Sequence, residues 1–123
     1  AKDDEMPSGY RVYINGGRVK TDLDALAWAK KAVDLGAGEI VLNSMDADGT
    51  KNGYEINLTR MIAENVSVPV IASGGGGNPQ HLADVLKEGK ADAALIATMV
   101  HSGQYTVNSI KQDLQKQGVS VRL

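Results

Sequence analysis

Residues 39–54 have the sequence "EIVLNSMDADGTKNGY", in which an apolar run ends abruptly in an acidic, glycine-containing loop. The apolar part, 39–44, shows little alternation between apolar and polar residues, a pattern typical of a strand covered on both faces. Two later segments repeat the arrangement: "VPVIAS" at 68–73 is followed by four glycines, and "DAALIAT" at 92–98 is followed by "MVHSG". The sequence therefore predicts three buried, parallel strands, each followed by a loop.

Helical patterns separate these strands. Segment 21–36 has apolar residues at helical spacing, with Thr21 as the predicted N-cap, Asp24 at the capping-box position and Gly36 at the end. Proline at the first turn favours a helix after Asn78. The other predicted helices cover 55–66, 79–89 and 106–118.

The chain begins with a different element. Residues 10–15, "YRVYIN", alternate aromatic or β-branched residues with polar ones, and Gly16 and Gly17 follow, which predicts a small, half-exposed hairpin. The alternation of helices and strands after it indicates an α/β fold with right-handed crossovers over a parallel sheet. Such a sheet is either open and doubly wound or part of a (β/α)8 barrel. A whole barrel needs about 250 residues, and this chain has 123.

Size and composition limit the classes of protein. The length predicts a single domain over residues 1–123. The net charge of −2, with dispersed basic residues, argues against nucleic acid or an anionic membrane as partner. The absence of cysteine excludes disulfides and thiolate chemistry. No apolar stretch approaches the roughly 18–20 residues of a membrane span, and the polar start is unlike a signal peptide, so we expect a cytoplasmic protein. Because the chain lacks an initial Met, we also expect it to be a piece of a longer one.

The loop of four glycines, 74–77, has two interpretations. Its backbone N–H groups could approach a phosphate closely, since the loop lies between a buried strand and the start of a helix. The alternative is a merely flexible turn. The phosphate interpretation is favoured, although the loop is neither a Walker loop nor a dinucleotide fingerprint. The predicted cradle consists of Gly75, Gly76, Ala97 and Thr98.

The acidic loop, 46–53, has three interpretations. Asp46 and Asp48 superficially resemble a calcium loop, but the third acidic ligand and the twelfth-position Glu are missing, so no metal is expected. A turn held by Asx hydrogen bonds is the structural alternative. The favoured interpretation is catalytic, with carboxylates that move protons or hold a polar substrate near Asn43 and Ser73. Spacing alone does not tell which carboxylate points inward.

Three other side chains carry weaker expectations. His81 lies in a predicted helix and is interpreted as a surface or packing residue. His101 could reach the site from its loop, but a structural role is favoured. Trp28, the only tryptophan, is expected in the core because it lies in an amphipathic helix.

Several longer strings resemble one known family. The segments "AGEIVLNSMDADGTKNGY", "PVIASGGGGNPQHL", "ADAALIATMVHSG" and "QGVSVRL" are similar, in the same order, to the carboxyl-terminal half of the cyclase subunit of imidazole glycerol phosphate synthase, from histidine biosynthesis. The resemblance implies a (β/α)4 half of a (β/α)8 TIM barrel. It also implies an enzyme that takes ammonia from a glutaminase partner to cleave and cyclise a phosphoribulosyl aminoimidazole carboxamide ribonucleotide, without a cofactor.

The resemblance assigns roles by position. Asp48 and Gly49 match residues that line the site and bind one of the substrate's two phosphates, and Gly75, Ala97 and Thr98 match the rest of that phosphate site. The polar residues that face the substrate correspond to Asn43 and Ser73. Glu39 matches the acidic member of a charged ring at the opposite barrel mouth, where ammonia enters; the alternative is a simple surface carboxylate.

The resemblance also identifies what this chain lacks. In the family two aspartates act as general acid and general base, at the ends of strands one and five. The first would lie in the other half of the barrel and the second would fall immediately before Ala1. We therefore expect this chain alone to bind phosphate without full activity, and the alternative function is an isolated half-barrel that binds phosphate or assembles without catalysis.

A half-barrel leaves two sheet edges and an apolar face without a partner. The sequence therefore predicts a homodimer or higher oligomer, or pairing with the missing amino-terminal half-barrel.

Overall fold

The computed structural model describes residues 1–101 and 103–121, except for the side chains of Thr98 and His101. The predicted hairpin is confirmed: strands β1 (Arg11–Ile14) and β2 (Val19–Asp24) pair antiparallel, with Tyr13 opposite Lys20. The pairing shifts by two positions between Arg11 and Tyr13, which bends the ribbon.

The first helix, α1 (Ala25–Asp34), begins three residues later than the sequence predicted, and Thr21 is not its N-cap. Thr21 lies in β2, where its hydroxyl donates to the Val12 carbonyl across the hairpin at 2.5 Å. Asp24 takes the cap position instead and accepts from the Ala27 N–H at 3.0 Å. Strand pairing therefore outweighs the local capping signal at this point.

Three parallel strands form the central sheet in the order β3-β4-β5. They are β3 (Ile40–Asn43), β4 (Val70–Ser73) and β5 (Ala93–Ala94), with Ile40 opposite Val70 and Ile71 opposite Ala93. The helices that connect or follow them are α2 (Ile56–Asn65), α3 (Pro79–Lys87), α4 (Thr98–His101) and α5 (Val107–Lys116). Helices α2, α3 and α5 confirm the predicted positions to within one or two residues.

Strand β5 is much shorter than the predicted 92–98. Its only strand neighbour among the described residues is β4, so ladder pairing supports it on one side alone. The chain then leaves the strand geometry, and α4 begins at Thr98. Residues 95–97 are therefore loop, although their apolar pattern continues.

One face of the sheet packs on the helices. Val70 and Ala72 of β4 are fully buried there, against two apolar clusters. The cluster near α1 and α2 consists of Tyr10, Ala29, Leu58, Ile62 and Val70; the larger cluster near α3 and α5 includes Leu82, Ala83, Val85, Met99, Ile110 and Leu114.

The other face of the sheet is open, so the expectation of strands covered on both sides is wrong for this chain. Val41 of β3 is 56% exposed and Leu95, just after β5, is 48% exposed. Trp28 is not in the core either: it is 40% exposed on α1. The sheet does not close into a barrel within the described residues, which is the open inner face expected of a half-barrel. None of the described helices is long and apolar enough to cross a membrane.

Candidate functional site

The acidic loop after β3 is held in shape by hydroxyl groups. The Ser44 hydroxyl accepts from the Ala47 N–H, and the Thr50 hydroxyl both donates to the Ala47 carbonyl at 2.7 Å and accepts from the Asn52 N–H. Neither Asp46 nor Asp48 accepts such a local bond from another described residue. The Asx turn weighed from the sequence is therefore replaced by turns that serine and threonine hold.

The glycine loop after β4 packs directly against the acidic loop. Gly53 donates its N–H to the Gly75 carbonyl at 2.8 Å. A Cβ on Gly75 would lie 2.7 Å from the Gly53 carbonyl carbon, and one on Gly76 would lie 2.5 Å from the Tyr54 hydroxyl oxygen. Gly75 also has a φ of +108°. The glycines are thus required by close packing, and the interpretation of the loop as a merely flexible turn does not account for them.

Tyr54 connects these two loops to the end of β5. Its ring is buried beside Gly76, and its hydroxyl donates to the Leu95 carbonyl at 2.8 Å. Burial raises the pKa of Tyr54 to about 12. Three loops at the carboxyl ends of three parallel strands are therefore joined through one side chain.

A small pocket lies where the three loops meet. It has a volume of about 50 Å³; since one water needs about 10–15 Å³ on this scale, there is room for a small anion. Its lining consists of Asp48, Gly49, Lys51, Ser73, Gly74, Gly75, Gly76, Leu95, Ile96 and Ala97. Sequence reasoning missed Lys51, although a lysine in a loop at the carboxyl end of a strand is a usable signal for anion binding.

The structure separates the two aspartates. Asp48 lines the small pocket, whereas Asp46 points elsewhere and accepts from the Lys2 N–H at 2.7 Å. Both residues are exposed. Only Asp48 can therefore act on a group held in the pocket.

Two further predicted residues lie close to the pocket, and one lies far from it. Ser73 ends β4 and lines the pocket, and the Asn43 side-chain oxygen would lie 3.1 Å from a Cβ on Gly74. Glu39 precedes β3, is exposed and lies at the opposite end of that strand. Thr98 begins α4 beside Ala97, but its side chain, like that of His101, lies outside the described residues.

A second, larger cavity adjoins the small pocket. This groove of about 830 Å³ runs between the ribbon, α1 and β3, and Asp48 and Asn43 lie on its wall. Four large apolar side chains that line it are exposed to solvent, namely Ile14, Trp28, Val41 and Met45. Asp48 thus lies at the junction between a polar pocket and an apolar groove.

Comparison with known proteins adds to this geometry. Residues 1–106 match the model of the family described as "Histidine biosynthesis protein". The imidazole glycerol phosphate synthase subunit HisF of Desulfatibacillum aliphaticivorans is 66% identical over 121 residues, which cover 98% of this chain and 46% of that protein. The subunit HisF of Desulforapulum autotrophicum is 68% identical over 117 residues, 95% of this chain and 45% of that protein. The subunit HisF of Methanococcus maripaludis is 55% identical over 114 residues, which cover 93% of this chain and 42% of that protein.

A solved structure supports the fold. The chain superposes on the crystal structure of the BexX/CysO complex of Amycolatopsis orientalis with a TM-score of 0.61 at 20% sequence identity, over 80% of this chain and 43% of that one. This similarity concerns the fold alone. The present chain spans a little under half the length of the curated relatives it matches.

The fold and the family match agree. The matched family is one of TIM barrels, and three parallel strands without a closed barrel in the described part of the chain are consistent with a half-barrel. The match over residues 1–106 covers most of the sequence. The chain belongs to the histidine biosynthesis protein family.

Proposed function

We propose that residues 1–123 form one half-barrel domain, the carboxyl-terminal half of a cyclase subunit of imidazole glycerol phosphate synthase. In the whole subunit, this half binds one phosphate of a phosphoribulosyl aminoimidazole carboxamide ribonucleotide, which ammonia then cleaves and cyclises. The observation that carries the proposal is the small pocket at the carboxyl ends of β3, β4 and β5. Ligand sites in barrel folds lie at this end of the strands.

The pocket offers groups suited to a phosphate. The N–H groups of Gly75 and Gly76 donate to no other residue in the described part of the chain, and backbone N–H groups in such a loop favour anions. Lys51 on the pocket wall supplies a positive charge. Ala97 and the start of α4 at Thr98 complete the proposed phosphate site together with Gly49.

For Asp48 the geometry favours the substrate over the phosphate. Its carboxylate would repel an anion, and its N–H already donates to the Ser44 carbonyl at 2.9 Å. Its position between the pocket and the groove suits a hydroxyl or an ionising group on the sugar part of the substrate. Asn43 and Ser73 are proposed to hold the same part of the substrate by hydrogen bonds.

The large groove and the open sheet face support association with a second half-barrel. Strand β3 has no neighbour on its outer edge among the described residues, and Val41 of the same strand is exposed. Unpaired edges and apolar patches of this kind favour pairing. We propose that the amino-terminal half-barrel covers this face in the whole subunit, and that a second copy covers it when the chain is alone. A monodisperse monomer in sedimentation equilibrium, with no loss of stability on dilution, would contradict this.

The partner enzyme is proposed from the relatives. They are named as subunits of a synthase, and the resemblance implies a glutaminase as the other subunit. Glu39 lies at the end of β3 opposite the pocket, a position suited to an ammonia entrance. A cytoplasmic location is part of the same proposal.

Reconstitution tests the proposed reaction. The chain is mixed with the amino-terminal half of a HisF subunit, and ammonia-dependent turnover of the ribonucleotide is measured with each half alone as control. We expect turnover only in the mixture, because the family resemblance implies one phosphate site in each half, so that the two-phosphate substrate needs both. Complex formation without turnover would favour the alternative, a half-barrel that binds phosphate or assembles without catalysis.

A further inference from the structure

His81, at the third position of α3, contacts both loops that form the small pocket. Its Nδ1 accepts a hydrogen bond from the Gly77 N–H at 3.0 Å. A backbone N–H can only donate, so Nδ1 is the unprotonated ring nitrogen. On the other side, the ring lies against the acidic loop, since a Cβ on Gly53 would be 3.4 Å from Cδ2 of His81. His81 is therefore more than a surface residue on a helix.

The glycine loop is fixed at two points, and His81 supplies one of them. The Gly75 carbonyl accepts from the Gly53 N–H at 2.8 Å, and two residues later the Gly77 N–H donates to His81. Gly76 lies between these two bonds. The pocket is lined by Gly74, Gly75 and Gly76, so the bond from Gly77 holds the loop from outside the pocket.

We infer that His81 is a positioning residue for anion binding, because its Nδ1 holds Gly77 so that the N–H groups of Gly75 and Gly76, which have no partner among the described residues, stay available to the anion. His81 does not belong to the described lining of the pocket, so it acts through the loop and not on the ligand. This inference rests on the proposed phosphate site. It assigns to His81 a role that a packing side chain of similar size does not supply.

A matched pair of substitutions separates the acceptor from the packing. Asparagine and leucine have nearly the same shape, but only His81→Asn places an acceptor, Oδ1, where Nδ1 lies now. Leucine is the better helix former, so weaker binding in His81→Leu cannot come from helix propensity. The measurement is the dissociation constant for inorganic phosphate, from amide shifts in a titration, with urea unfolding to show that each variant is folded.

We expect His81→Leu to bind phosphate about tenfold more weakly, the effect of about one hydrogen bond, and His81→Asn to stay within about threefold of the unmodified chain. Equal affinity in all three, equal weakening in both variants, or tighter binding in His81→Leu would each overturn the inference. If a variant does not fold, ¹⁵N spectra of the His81 ring in the unmodified chain still test the inference. A protonated Nδ1 would overturn it. Absence of phosphate binding by the unmodified chain would instead contradict the proposed phosphate site.

Discussion

The two loops that form the small pocket reach a fixed shape by different means. The acidic loop, 46–53, is held mainly by hydroxyl groups of Ser44 and Thr50, and its aspartates remain exposed. The glycine loop, 74–77, is held by two hydrogen bonds of its backbone and by close contact, because a side chain at Gly75 or Gly76 would meet Gly53 or Tyr54. Composition alone is therefore a poor guide to stiffness, because of these two loops the one with four glycines has less room for added atoms.

The strongest test of this contrast is an added methyl group in each loop. Gly75→Ala should lower the free energy of unfolding by about 3 kcal/mol or more, since it combines an unfavourable φ with overlap against Gly53. Gly49→Ala has a positive φ of +77° but open space around it, so only about 1–2 kcal/mol is expected. Urea unfolding measures both. A Gly75→Ala cost no larger than that of Gly49→Ala would contradict the packing argument.

The next test removes the side chain that joins the loops to β5. Tyr54→Phe keeps the ring but leaves the Leu95 carbonyl without its hydroxyl partner, which should cost about 1–2 kcal/mol in the free energy of unfolding. Tyr13→Phe is the control, because its hydroxyl bonds to no other described residue, and should cost much less. Equal effects in thermal or urea unfolding would show that the link from Tyr54 to Leu95 is unimportant.

Alkaline pH tests the same link in the unmodified chain. Burial raises the pKa of Tyr54 from 10.0 to about 12, so the folded state keeps a proton that the unfolded state loses between these values. The contribution to stability is therefore present below pH 10 and is lost as the pH rises from about 10 to 12. Burial, with the hydrogen bond to Glu55, also raises the pKa of Tyr10. The contribution of Tyr10 to the pH dependence of stability is the same in the unmodified chain and in Tyr54→Phe. The loss over this window should be smaller in Tyr54→Phe, and superimposable pH profiles would contradict the assignment.

The acidic loop is expected to contribute charge to anion binding. Lys51→Gln should weaken the binding of inorganic phosphate about fivefold, because it removes a cation from the pocket wall. Lys30→Gln, at an exposed position of α1, is the control and should change the affinity little. Raising the salt concentration should reduce the difference between the two variants. Equal weakening in both would indicate a response to net charge alone.

The smallest expected effect distinguishes the two aspartates. Asp48→Asn removes a negative charge from the pocket wall and should tighten the binding of inorganic phosphate about twofold. Asp46→Asn should have no measurable effect on it, because Asp46 is directed at the Lys2 N–H. A phosphate titration measures both. Weaker binding in Asp48→Asn would instead favour direct contact between its side chain and the phosphate.

Much of the fold is local enough to be predicted. The Asn78 cap and Pro79 mark the start of α3 without help from distant residues, and the hairpin follows from its alternation and its two glycines. The errors lie where a distant partner decides. Thr21 bonds across the hairpin instead of capping a helix.

The candidate site was predictable in part for the same reason. Strand ends and glycines identify the loops, so Asp48, Ser73, Gly75 and Ala97 could be named in advance, and they do come together. The choice between Asp46 and Asp48, and the presence of Lys51, depend on how the loops turn in space. Those turns are set by hydroxyl bonds and by contact with the glycine loop, which no spacing in the sequence encodes.

These two loops are proposed to form one anion-binding pocket. Titration of the ¹⁵N-labelled chain with inorganic phosphate, followed by amide spectra, tests it most directly. We predict saturable shifts of Gly75 and Gly76, with no comparable change at Gly16 and Gly17 in the ribbon turn. Shifts that do not saturate, or that are as large in the ribbon as in the glycine loop, would contradict the account.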